Sequence, residues 1–136
     1  MKVFVYGSLR NGGFLNPHYF TQELFLGVAK TSQGYALYDI TSGAFPAMVE
    51  SKDQSQVCGE IYEADNNLLD RLDRAEGHPN FYCRKEIKLD NGETVFAYLL
   101  PAEEVVGFPK VEDGDWMPFI IRANEKKDKE ISRWFV

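Results

Sequence analysis

Seven short strand-like runs, set apart by turn signals and broken by one clear helical stripe, constrain this chain more than any other feature. They cover residues 2–6, 25–30, 35–39, 47–49, 57–63, 84–89 and 94–100. The run 57–63 alternates, with Val57, Gly59 and Ile61 on one side and Cys58, Glu60 and Tyr62 on the other. Between the last two runs stands Asp90-Asn91-Gly92-Glu93, a hairpin signal, because Asn-Gly accepts the positive φ of a tight turn. Many short strands with few helices predict an α+β fold: a small mixed or antiparallel β-barrel, closed or nearly closed, with a few flanking helices. A brief helix is expected over 16–21, and a C-terminal one over 124–134 that docks through Ile131 and Trp134. At 136 residues the whole chain, 1–136, is expected to form one domain around one core.

Charge narrows the partners. Fifteen basic against 21 acidic residues give a net charge of −6, with no basic cluster, which argues against nucleic acid or anionic membranes. The tail 126–130 mixes both signs and reads as a solvated helix face. No apolar run approaches a membrane span, and the chain moves straight from Met1 into a strand instead of a signal peptide, so a cytoplasmic protein is expected. Cys58 and Cys83 lie on separate strands without C-x-x-C spacing or a nearby histidine pair. They are read as buried structural cysteines, and no metal is assigned.

Two stretches remain that carry chemistry. The first strand opens at once into Gly7-Ser8-Leu9-Arg10-Asn11-Gly12-Gly13. A small-residue loop after a strand exposes successive backbone N–H groups, which suit a carboxylate, a phosphate or an oxyanion. Gly7 and Gly12 have the spacing of a phosphate loop, but Gly13-Phe14 stands where Lys and Ser or Thr are required, which argues against nucleotide hydrolysis. A dinucleotide fingerprint fails on its glycine spacing. The loop alone is equally readable as an ordinary turn.

The second stretch ends on a carboxylate. Leu68, Leu69, Leu72 and Ala75 form a helical stripe, with Asp65 as N-cap and Gly77 and Pro79 as stop signals. Glu76 therefore falls at the negative end of a helix, with Asp73 one turn back on the same face. Both effects are expected to raise its pKa toward the range of a general base. The aromatic turn 77–82 that follows is suited to shielding it from water. Read alone, Glu76 is also compatible with a solvated surface group.

Together these blocks carry a resemblance. Val3-Phe4-Val5-Tyr6-Gly7-Ser8-Leu9-Arg10, the Gly59-Glu60-Ile61-Tyr62 strand, and Leu72-Asp73-Arg74-Ala75-Glu76-Gly77 followed by Phe81-Tyr82-Cys83-Arg84 resemble the gamma-glutamylcyclotransferase-like family, of the gamma-glutamylamine cyclotransferase type. The resemblance runs from residue 2 to about residue 116, and no family pattern extends into the last twenty residues. It implies a cofactor-free enzyme that cyclises a gamma-glutamyl amine or amino acid to 5-oxoproline and releases the free amine. It further implies that Tyr6, Gly7, Ser8 and Leu9 hold the glutamyl group and that Glu76 is the general acid/base. Some relatives lack that glutamate; this chain keeps it. Tyr35 and Tyr82 are candidate pocket residues, with core packing as the alternative role for each.

Two rival readings bear on Glu76. A non-catalytic protein binding a small acidic metabolite on the same fold has no use for that residue. A glycosidase using Asp73 and Glu76 fails on geometry, because two acids on one helix face cannot bracket a sugar. The expected partner is a small gamma-glutamyl molecule, and the loop 6–10 and Glu76 are expected to face one cavity.

Overall fold

The computed structural model describes residues 1–40 and 45–116. The helix expected over 124–134 lies outside the described residues. The elements are β1 (Lys2–Val5), α1 (Asn16–Tyr19), β2 (Phe25–Lys30), β3 (Tyr35–Asp39), β4 (Pro46–Glu50), β5 (Cys58–Glu63), α2 (Asn66–Glu76), β6 (Cys83–Lys88) and β7 (Thr94–Leu99). All seven expected strands are present within a residue or two of their sequence bounds, and the Asn91-Gly92 turn joins β6 to β7 with Gly92 at φ 88°.

The strands form one mixed sheet in the order β2-β5-β1-β7-β4-β3, with β6 on the other side of β7. That edge arrangement explains why the sheet curls but does not close. One edge of β7 pairs with β6 along its whole length, while its other edge is shared. Val3 of β1 pairs with Phe96, and Met48 of β4 pairs with Leu99, both parallel. Among the described residues, the β2 and β6 ends meet in a single bridge, Thr31–Leu89. The α+β fold with a mixed sheet is as expected, but full closure is not reached: a single bridge joins those ends where a closed barrel needs a full ladder.

Strand alternation sorts the core onto two faces. From β1, Val3 and Val5 point to one cluster with Tyr62, Tyr98 and the α2 leucines. Phe4 and Tyr6 point to the other, with Met48, Ile61, Leu99 and Trp116. Both faces of β5 are covered, so its alternation is not apolar-in and polar-out. Glu60 is buried because Arg10 Nε (3.2 Å), the Asn11 amide (2.8 Å) and the Tyr62 hydroxyl (2.9 Å) all donate to its carboxylate. Cys58 and Cys83 are free and partly exposed, which corrects the expectation of buried core cysteines.

Helix α2 is capped as its sequence predicts. The Asp65 carboxylate accepts from the Leu68 amide at 2.8 Å, and Gly77 takes the left-handed conformation at φ 71°. Leu68, Leu69 and Leu72 are buried, whereas Ala75 is exposed and lines a cavity. Because Leu72 is fully enclosed, Leu72→Ala leaves a cavity and is expected to cost about 2–5 kcal/mol in denaturant unfolding. A cost below about 1 kcal/mol would mean that α2 does not hold the sheet through this side chain.

Candidate active site

The loop after β1 is held by its carbonyls. Gly7 O accepts from the Arg10 amide (3.0 Å), Ser8 O from the Leu15 amide (3.1 Å), and Leu9 O from Asn16 Nδ2 (2.7 Å). Arg10 extends the anchoring by pairing with Glu60 and, through Nη1, with Asp115 at 2.7 Å. Among the described residues, no backbone partner takes the amides of Gly7, Ser8 or Leu9. Three successive N–H groups are thus left available while their carbonyls are tied down, which gives the loop a local positive potential.

Gly7 is required for space. A Cβ at this position would lie 2.7 Å from Pro46 Cγ and 2.8 Å from Pro46 Cδ. Tyr6 acts mainly as a bolt beneath the loop. Its hydroxyl donates to Tyr98 O (2.5 Å) and accepts from the Met48 amide (3.2 Å), fastening β7 to β4 where their ladder is a single pair.

Glu76 is the last residue of α2, and the turn behind it is tightly folded. The Phe81 amide donates to Gly77 O (2.9 Å) and the Tyr82 amide to Glu76 O (3.2 Å), which brings both rings back over the helix end. Together with the 6–9 loop they line one cavity of about 320 Å³, whose wall also includes Glu76, Leu15, Ile40, Phe45, Pro46 and Tyr98. Burial raises the Glu76 pKa from its ordinary 4.5 to about 7. This corrects the cause argued from the sequence, which was the helix dipole and Asp73. The Asp73 carboxylate instead accepts from the Tyr98 hydroxyl (2.6 Å) and lies 3.6 Å from Arg84 Nε.

The tyrosines around Glu76 are donors and scaffolds. The Tyr82 hydroxyl donates to Pro46 O at 2.7 Å. Burial first, and then the Glu76 charge, hold its pKa well above that of a free phenol. Burial, the hydrogen bond to Asp73 and that residue's charge do the same for Tyr98. Both phenols therefore stay protonated wherever Glu76 titrates. Tyr35 is not on the cavity wall; it packs against the second core cluster, in the core role weighed for it.

Five cavity residues escaped the sequence reading: Leu15, Ile40, Phe45, Pro46 and Tyr98. Tyr98 carried a usable signal, since it shares the α2 side of β7 with Phe96 and places a hydroxyl on an otherwise apolar face. Phe45 and Pro46 reach the cavity by long-range folding and carried none. Among the described residues no three His, Cys, Asp or Glu side chains gather as metal ligands, and no helix is long and apolar enough to cross a membrane.

Known proteins share the sequence pattern and the fold. The sequence profile of the family described as "Gamma-glutamyl cyclotransferase, AIG2-like" matches residues 3–118. A Methanocaldococcus jannaschii protein provisionally named a gamma-glutamylcyclotransferase is 40% identical over 119 residues, covering 86% of this chain and 96% of its own. Gamma-glutamylaminecyclotransferase A of Danio rerio is 33% identical over 127 residues, covering 86% of this chain and 74% of its own. The crystal structure of a mouse AIG2-like protein superimposes with a TM-score of 0.67 at 26% identity, covering 82% of this chain and 85% of that one. With the profile spanning most of the chain, the protein belongs to the gamma-glutamyl cyclotransferase, AIG2-like family.

Proposed function

We propose that this chain is a cofactor-free gamma-glutamyl cyclotransferase, acting as a single domain in the cytoplasm. Its substrate is a gamma-glutamyl amine or amino acid, and its products are 5-oxoproline and the free amine. The observation that carries this reading is one cavity lined both by a carboxylate with a pKa of about 7 and by the loop whose Gly7, Ser8 and Leu9 amides have no backbone partner among the described residues.

The chemistry follows from those groups. The substrate's α-amine is protonated near neutral pH, and ionised Glu76 takes one of its protons. The freed nitrogen attacks the γ-carbonyl carbon, closing the five-membered ring. The tetrahedral oxyanion, or the substrate's α-carboxylate, is held by the Gly7, Ser8 and Leu9 amides. Protonated Glu76 then gives its proton to the departing nitrogen, and the C–N bond breaks. The ring nitrogen's second proton also ends on the amine, which leaves as an ammonium ion. Attack is intramolecular, so folding the substrate into a near-attack shape supplies much of the rate without a second reactant.

Incubation with a panel of gamma-glutamyl amides tests the reading, with 5-oxoproline measured directly. Release of 5-oxoproline and amine in equal amounts is expected. Binding of these compounds without product would leave a binding protein on this fold and end the enzymatic assignment.

A further inference from the structure

The cavity has two walls of different chemistry. The inner wall holds Glu76 and the Gly7-Ser8-Leu9 loop, whose carboxylate and unpaired amides suit the polar amine, carboxylate and carbonyl of a glutamyl group. The outer wall is aromatic. Phe45 and Phe81 line the cavity yet are 40% and 54% exposed, which places them at its mouth. Phe45 packs edge-on against Phe14, itself 59% exposed, with ring centroids 5.9 Å apart. Phe81 is edge-on to Tyr82 at 5.0 Å. Two phenyl rings held half in water on one cavity, one of them backed by Phe14, forgo part of the gain from burial, and such patches mark where an apolar ligand group docks.

Resting on the proposed reaction, the geometry gives these rings an occupant. With the glutamyl end turned inward to Glu76 and the amides, the substituent on the γ-amide nitrogen emerges between Phe45 and Phe81. We propose that this substituent is apolar: the site prefers gamma-glutamyl derivatives of arylalkyl- or longer alkylamines over those whose amine carries a charged far end. A carboxylate pressed against the rings would lose hydration without a compensating partner. An apolar group there covers the rings and releases the water on both surfaces.

The test compares 5-oxoproline release from gamma-glutamyl benzylamide, pentylamide, methylamide, aminopentylamide and glycine. For the wild type, kcat/KM on the benzyl and pentyl compounds is expected to exceed that on methylamide by at least about tenfold, and aminopentylamide to fall below pentylamide. Replacing both Phe45 and Phe81 by Ser should collapse the benzyl-to-methyl ratio toward unity. A merely structural role for the two rings would slow both substrates together and leave that ratio unchanged. Methylamide turned over as well as benzylamide, aminopentylamide equal to pentylamide, or a ratio unmoved in the double variant would each overturn the apolar mouth while leaving the cyclotransferase reading standing. If the folded wild type releases no 5-oxoproline from any of the five, both readings fall together.

Discussion

Glu76→Gln is expected to lower turnover by roughly 10²–10⁴-fold on the best gamma-glutamyl substrate, with substrate binding changed far less. The amide keeps the size of the acid and its place against Tyr82 and the loop, but it cannot take the α-amine proton. In the wild type, activity should rise with pH through about 7, because only the ionised carboxylate acts as the base. The same residue makes stability depend on pH. Below the ordinary value of 4.5 the acid is neutral in folded and unfolded chains alike, so it adds no cost. Between 4.5 and about 7 the unfolded chain ionises first and the folded state loses ground as pH rises. Above about 7 the loss levels off at about 3 kcal/mol, since each tenfold difference in proton affinity between the two states is worth about 1.4 kcal/mol. The Gln variant carries no such penalty, so it should melt at a higher temperature than the wild type at pH 8 and at a similar one at pH 4. Near wild-type turnover in that variant would remove Glu76 from the chemistry. Identical melting curves at pH 8 would instead show that the carboxylate is not desolvated.

What was legible in the sequence was local. Helix α2 could be read to its ends because the Asp65 cap, the leucine stripe and Gly77 all act within a turn or two of the chain. The β6–β7 hairpin could be read because Asn91-Gly92 fixes its turn chemistry. That the sheet stays open could not be read that way. It depends on β1 and β4 dividing one edge of β7 between them, a long-range arrangement that no strand pattern encodes. The same division runs through the site. Glu76 stood out from its place at a helix end, but the cause of its raised pKa was misread. Sequence neighbours suggested the dipole and Asp73, whereas the Tyr98 hydroxyl and Arg84 engage Asp73, and burial is what raises the pKa. Burial is a tertiary quantity, built here by walls that include Tyr82, Phe45 and Pro46 from separate stretches of the chain.

Gly7→Ala should be nearly as damaging as loss of the acid, for a reason that involves no charge at all. The added methyl would sit 2.7 Å from Pro46 Cγ and 2.8 Å from Cδ, well inside contact distance. The Pro46 ring cannot swing aside, because it closes on its own backbone, opens β4 and presents the carbonyl that receives the Tyr82 hydroxyl. The loop must move instead, and its three amides move with it. Displacing oriented donors by about 1 Å is expected to lower kcat/KM by about 10²-fold, while overpacking costs about 1–3 kcal/mol of stability. The two effects are separable. Adding Pro46→Ala removes Cγ and Cδ but keeps the carbonyl for Tyr82, so the double variant should regain much of the lost activity. Full activity in Gly7→Ala would show that the loop amides do not position the substrate. A double variant as slow as the single one would show that the clash with Pro46 is not what places them.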